Sequence, residues 1–384
     1  MKNKITILYI CTMLVISTLY AIQPIQPLFQ KEFSLTNFQA VIFTTVIMFP
    51  LGIAPIVYGY ILERVSLRIM LFFSLFFLGI LEIVFALSTN YAAMLFIRGA
   101  QGLLVPAALT SLVSYISMSS TADRIQQNIG NYVAVTILGG FITRLLSGYG
   151  SEYFGWQAFF VFLGILLIIF AFIILKKIQD IKIDFSKPNI SDILKVLKEK
   201  RNLTIYLTMF CVYFIFQAVS NFLPFELKSI SSDMGEGKIG FVYVGYVVGV
   251  IISVNATKIV RYFVNENNAM IVGVLIYIAG IGLLNIPSFY AMLVAMIVFC
   301  SGMFTIHSIA NGYINRMAKE RKSIANGLYL SFYYLGGTLG TFLPTFIYTP
   351  FGWAGFLQFM LFVILIAISL LVSLKISTQK SKVN

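Results

Sequence analysis

The sequence predicts an all-α membrane protein: twelve transmembrane helices in two pseudo-symmetric six-helix bundles. Three observations predict it. The first is composition. Apolar residues make up 59% of the 384 residues and charged residues only 11%, against a usual quarter in soluble domains. A water-soluble core cannot hide that much apolar surface. The second is the spacing of the apolar runs, each near the roughly 20 residues that a bilayer span needs. The third is an internal repeat. Gly130, Tyr132, Leu138, Gly139, Gly140, Phe154, Gly155, Trp156 and Phe159 recur 197 residues later as Gly327, Tyr329, Leu335, Gly336, Gly337, Phe351, Gly352, Trp353 and Phe356. The two tryptophans of the chain occupy equivalent places in it. A repeat of that length points to a duplicated bundle.

Taken in order, the spans fall at roughly 5–27, 38–62, 69–88, 91–117, 127–150 and 157–175, then 203–225, 239–259, 268–287, 289–314, 325–348 and 354–374. Residues 1–175 form the first bundle and 203–374 the second. Residues 176–202 form a cytoplasmic linker, and 375–384 a cytoplasmic tail. The linker is the longest polar run of the chain. Within it Ile190, Ile193, Leu194 and Leu197 recur at helical spacing, with Asp192, Lys195, Lys198 and Glu199 on the other faces. This predicts an amphipathic helix, either lying on an anionic leaflet or solvated.

The charges set the orientation. With the N-terminus cytoplasmic, 22 of the 27 Lys and Arg residues fall on the cytoplasmic side. Lys31, Lys228 and Lys238 fall opposite, and Arg98 and Arg144 lie within spans. This asymmetry fits the positive-inside rule and an even number of spans, so both termini are expected in the cytoplasm. Met1–Lys4 and the run that follows read as a first span rather than a cleaved signal peptide.

Several function classes are excluded or weakened. The net charge of +13 is scattered between apolar runs, so no nucleic-acid face is expected. Cys11, Cys211 and Cys300 all lie inside apolar runs, which predicts packed thiols without disulfides or a metal site. Gly235-Glu236-Gly237-Lys238-Ile239-Gly240 matches a dinucleotide fingerprint but follows no strand, so it reads as a loop. No phosphate-binding P-loop motif occurs, which argues against an ATP-driven pump. An intramembrane enzyme would need clustered catalytic groups, which the chain does not offer. A non-transporting receptor or scaffold would also explain the repeat.

The loop after the second span reads Gly59-Tyr60-Ile61-Leu62-Glu63-Arg64-Val65-Ser66-Leu67-Arg68. It resembles the signature loop of the major facilitator superfamily, matching at Gly59, Arg64 and Arg68. Glu63 stands where that family usually has Asp, and Ser66 where it has Gly. The resemblance implies a gating latch in which the carboxylate and the arginines pair and part. In the fourth span, Arg98-Gly-Ala-Gln101-Gly102 is similar to a family motif linked to proton coupling. The fifth span, with Leu138-Gly139-Gly140 and Arg144, is similar to that of the drug:proton antiporter branch, without its usual Gly-Pro pair. Gly139, Gly140 and their repeats Gly336 and Gly337 are expected at close helix contacts. Gln23-Pro24-Ile25-Gln26-Pro27 and the eleventh span resemble the same branch. In the second half the signature loop is degraded: Arg261 remains, but Ala256 replaces the glycine and the acid is lost.

An ionisable group inside a span costs about 2.5–3.5 kcal/mol on insertion scales, so each needs a reason. Glu82, Arg98, Arg144 and His307 are the four candidates for proton coupling. Glu82 could carry a proton whose affinity Arg98 sets, or the two could form a permanent ion pair. Two arginines against one carboxylate could also attract an anionic substrate. His307 could carry a proton or pack against a neighbour. By the resemblance, Gln23, Gln26, Gln101, Gly102, Gln217, Asn221 and Asn311 line a pathway. The expected function is proton-coupled efflux of a small molecule or drug by alternating access. The alternative is a proton-linked or facilitated importer of a small organic anion or sugar. No cofactor is expected beyond the proton gradient as energy source. The expected setting is a monomer in the lipid bilayer of a bacterial inner membrane.

Overall fold

The computed structural model describes residues 2–62, 65–121, 124–180, 190–317 and 322–383, with the side chains of 2–3, 54–62, 126, 190, 315, 322–323 and 377–383 left aside. Every regular element among them is helical. In the first half these are α1 (Lys2–Tyr20), α2 (Gln26–Glu32), α3 (Asn37–Leu62), α4 (Leu67–Leu87), α5 (Tyr91–Ser119), α6 (Ile125–Phe154) and α7 (Trp156–Lys177). Then follow α8 (Ile190–Lys198), α9 (Lys200–Ile230), α10 (Glu236–Phe241), α11 (Gly245–Val254), α12 (Ala256–Tyr262), α13 (Glu266–Leu283), α14 (Phe289–Met317), α15 (Lys322–Phe342) and α16 (Thr345–Val383). Among the described residues ten helical segments are long and apolar enough to cross a bilayer, and α3 adds a shorter apolar stretch.

The twelve expected spans map onto these helices, with the first, eighth and eleventh interrupted. The first span is α1 and α2 joined by a 3-10 turn at Gln23–Ile25. Pro24 and Pro27 explain the break, since each removes a backbone donor and its ring clashes with the turn before it. The eleventh span stops at Phe342, just before Pro344. The twelfth begins within α16 after Gly352, whose backbone is non-helical. Ser66 caps α4 by accepting from Ile69 N, and Asn90 caps α5 by accepting from Ala93 N. Both satisfy a donor that a helix start leaves unpaired.

Two compact units divide the chain. Unit 1 is Met1–Lys187 with Leu227–Tyr243, and unit 2 is Pro188–Glu226 with Val244–Asn384. The segment Leu227–Tyr243, expected with the second bundle, therefore belongs with the first. Glycines explain this. A Cβ on Gly148 of α6 would strike Glu236 O, and one on Gly240 would strike Arg144 O. The backbones of α6 and α10 touch at both points. The glycine cluster expected as a loop is thus the start of a helix seated on α6. Glu152 fastens it by accepting from Gly237 N at 2.8 Å, and Lys228 pairs with Glu236 at 3.0 Å.

Elsewhere in unit 1, α4 and α7 meet through a reciprocal glycine pair. A Cβ on Gly79 would lie 2.6 Å from Gly164 O, and one on Gly164 would lie 2.6 Å from Gly79 O. An aromatic core gathers around Phe29 of α2. Trp156 lies 4.7 Å from it and Phe43 5.6 Å, and Phe85 and Phe160 complete the group. This core fixes the end of the first span, where the polar groups described below converge. In unit 2, α15 lies directly on α9. Cβ atoms on Gly336 and Gly340 would strike Phe210 O and Phe214 O, and one on Gly337 would meet Tyr213 at 2.5 Å. Gly139 makes only ordinary contact with Ile16 and Met13 of α1, so its repeat Gly336 is the tighter of the two.

The linker helix is present as α8, and it packs against α15. Val196 is its buried residue, while Leu194 is 52% exposed. Cys11, Cys211 and Cys300 are free and buried.

Candidate functional site

The polar interior of unit 1 is built where the first span breaks. Because α1 ends at Tyr20, carbonyls of its last turn lose their helical donors. Arg98 of α5 takes one of them. Its Nη1 donates to Thr18 O at 2.9 Å and to Gln101 Oε1 at 2.9 Å, and its Nε donates to Phe43 O at 3.2 Å. One guanidinium thus ties α1, α3 and α5 together. Gly102, next to Gln101, lets α5 approach α3, since a Cβ there would lie 2.9 Å from Ile47 O.

Glu82 of α4 is fully buried beside this node. Among the described residues no salt bridge joins Glu82 to Arg98, although the two lie close enough for their charges to act on each other. Arg98 spends its donors on carbonyls and Gln101, and neither Glu82 oxygen has a hydrogen-bond partner among the described residues. Thr18 Oγ1, Arg98 Nη2 and Gln101 Nε2 are likewise unpartnered there. All three residues lie close enough to act on the Glu82 carboxyl. Each of these four buried residues therefore keeps at least one polar atom unpartnered among the described residues, an arrangement that interiors rarely tolerate without a function.

Arg144 of α6 forms a second node. Its Nε and Nη2 both donate to Gln23 Oε1, at 2.9 and 2.5 Å, and its Nη1 donates to Gly140 O at 2.6 Å. Tyr20 and Tyr243 place their rings 4.3 and 4.9 Å from its central carbon. Gly140, expected at a helix contact, here supplies a carbonyl to a side chain. Nearby, Ser17 and Thr143 share a hydrogen bond of 2.7 Å. Neither Tyr20 nor Tyr243 stands out in the sequence. Aromatic residues are so frequent here that no pattern separates these two from the rest.

The comparisons with known proteins bear on this arrangement. Residues 8–305 match the family model of the Major Facilitator Superfamily. The chain belongs to the major facilitator superfamily. It is a multi-pass membrane transporter and not an enzyme. A protein of Buchnera aphidicola (subspecies Schizaphis graminum) described as an uncharacterized transporter is 27% identical over 366 residues, covering 94% of this chain and 88% of its own length. The inner membrane transport protein YnfM of Escherichia coli K12 is 23% identical over 356 residues, covering 91% and 85%. Among solved structures, an inward-facing, occupied bacterial homologue of the human lysosomal transporter Spinster aligns with a TM-score of 0.81, covering 98% and 97% at 13% identity. A point mutant of the nucleoside transporter NupG aligns at 0.77, covering 97% and 98% at 13% identity. These two likenesses concern the fold alone.

Of the major facilitator signature loop, Glu63 and Arg64 lie outside the described residues, and Gly59 is described only as part of α3. Arg68 is half-buried, with its Nε unpartnered among the described residues.

The expected pathway residues of this major facilitator chain differ in exposure. Gln23, Gln26, Gln101, Gln217 and Asn221 are all fully buried. Gln26 donates to Thr44 Oγ1 at 3.0 Å, and Asn221 donates to Thr341 O at 2.9 Å. Buried amides hold helices together wherever a partner is in reach. Gln217 packs against Gly337, and Asn311 is half-buried. In unit 2, His307 Nδ1 shares a 3.0 Å hydrogen bond with Tyr329 OH. Tyr333 lies 4.8 Å from the imidazole and stacks on Tyr213 at 3.6 Å. His307 is half-buried against the rings of Tyr329 and Tyr333.

Proposed function

We propose that this transporter is a proton-coupled exporter of a small molecule, working by alternating access, with Glu82 as the proton carrier. The observation that carries the reading is the Glu82 carboxyl, fully buried with neither oxygen hydrogen-bonded among the described residues. A lasting structural ion pair would have its oxygens satisfied, because unpaired buried charge is expensive. A group that loads and unloads a proton needs donors within reach but not committed. Thr18, Arg98 and Gln101 provide them. Export rests on the resemblance of the fifth span to the antiporter branch. Proton-linked import of an organic anion is the second reading, favoured by the buried Arg144.

The test is an everted-vesicle assay with an imposed proton gradient and a panel of dyes, antibiotics, sugars and organic anions. At least one compound should dissipate the gradient only when the protein is present. Glu82→Gln should remove that response while folded protein stays in the membrane, and Glu82→Asp should keep part of it. Proton exchange unchanged in Glu82→Gln would sink the assignment.

A further inference from the structure

We infer that Arg144, with Gln23, Tyr20 and Tyr243, forms a binding site for a small organic carboxylate, the cargo of the transport cycle proposed above. Gln23 occupies the guanidinium. Its Oε1 accepts from both Nε and Nη2 of Arg144. That side-on fork is the one a carboxylate fills with two parallel hydrogen bonds. Here a single neutral amide oxygen serves both donors.

The second observation is the other end of the same amide. Gln23 is fully buried, and its Nε2 has no partner among the described residues. A buried donor without an acceptor carries a desolvation penalty of about 1–3 kcal/mol. The orphan donor lies on the very side chain that occupies the fork. An arriving carboxylate resolves both defects. It takes the fork with two oxygens, and the displaced amide can donate to it. Gln23 thus holds the site for a ligand.

The rings define which anion fits. Tyr20 and Tyr243 lie 4.3 and 4.9 Å from the guanidinium carbon, so they occupy positions over the cation. A ligand must then approach along the guanidinium edge, which suits a planar carboxylate. A monoanion is also the cheaper charge to desolvate beside a buried cation. Two tyrosine rings against the guanidinium suit an organic body rather than an inorganic ion.

Tyr243 closes the segment Leu227–Tyr243 that joins unit 1. That segment rests on α6 through Gly148 and Gly240, and Gly240 meets the carbonyl of Arg144 itself.

The experiment measures the thermal unfolding midpoint of purified, detergent-solubilised protein with no gradient present. Acetate, lactate, benzoate and salicylate are each compared with their neutral amides at matched ionic strength. A ligand that binds the folded state raises the midpoint in a saturable way. At least one carboxylate should do so where its amide does not. Arg144→Lys should weaken that response about tenfold, because an ammonium cannot present the fork, and Arg144→Gln should abolish it. Gln23→Glu guards against misfolding of the arginine variants, since its own carboxylate would fill the fork and block the response in a folded protein. No carboxylate acting beyond its amide, or a wild-type response in Gln23→Glu, would overturn the inference. Carboxylate binding without proton exchange would refute the coupling at Glu82 alone. Proton exchange without Arg144-dependent binding would refute this site alone.

Discussion

Gly155 and Gly352, 197 residues apart, both hold a positive φ immediately before a buried tryptophan. Their φ/ψ pairs are 82/147° and 63/−165°, a region open to glycine and almost nothing else. The duplicated Phe-Gly-Trp therefore encodes a backbone corner that aims an indole inward. The partners have since diverged. Trp156 Nε1 donates to Glu32 Oε2, and Trp353 Nε1 donates to Leu284 O.

Gly352→Ala isolates the backbone effect, because a Cβ there meets no atom within 4 Å. It should cost about 1–3 kcal/mol through strain alone. Asn, which tolerates the left-handed helical region, should not rescue it, because ψ lies far from that region. The thermal unfolding midpoint in detergent would report both. A wild-type midpoint in Gly352→Ala would contradict the reading.

Gly336 and Gly130 should respond to alanine with opposite signs. A Cβ on Gly336 strikes the Phe210 carbonyl, and neither backbone can yield without parting α9 from α15. Overpacking of this kind costs about 1–3 kcal/mol or more. A Cβ on Gly130, inside α6, meets nothing within 4 Å. Gly130→Ala should then gain up to about 1 kcal/mol of helix propensity. Paired unfolding curves would show midpoints shifted in opposite directions.

Glu152 accepts from Gly237 N and so fastens α10 to α6. A hydrogen bond to a charged acceptor contributes about 1.5–3 kcal/mol. Glu152→Gln keeps an acceptor and should lose less than Glu152→Ala. Proteolysis between residues 227 and 243 would measure it, with cleavage fastest in Glu152→Ala. Equal rates for all three proteins would show that the glycine contacts alone hold the segment.

The fold is largely legible in the sequence because hydrophobic period, charge asymmetry and repeat all point the same way. The glycines of the span pairs are legible too, though not how unequally they are used. What sequence alone misses is three-dimensional accounting. The Arg98–Glu82 pair looks obvious from charge and depth, yet the guanidinium hydrogen bonds to Thr18 O at the end of α1, to Phe43 O of α3 and to Gln101. Gly235, Gly237 and Gly240 read as a loop because α10 has no signal except its contact with Gly148 on a distant helix. Gln23 reads only as a polar pathway residue, and its two bonds to Arg144 span 121 residues of sequence.

The same hydrogen bonds define a test of the Glu82 node. Arg98→Leu removes the donors to Thr18 O, Phe43 O and Gln101 Oε1 and also the positive charge beside Glu82. Breaking a buried charge arrangement on one side costs about 3–5 kcal/mol. Glu82→Gln removes a charge whose oxygens make no hydrogen bonds among the described residues, so alone it should leave stability near wild type. In the Glu82→Gln background, Arg98→Leu should cost only the orphaned carbonyls, about 1–3 kcal/mol. The difference is the coupling between the two residues, obtained from a double-mutant cycle on unfolding free energies. A penalty of equal size in both backgrounds would mean that the arginine serves the carbonyls alone, and the coupling reading of Glu82 would lose its electrostatic partner.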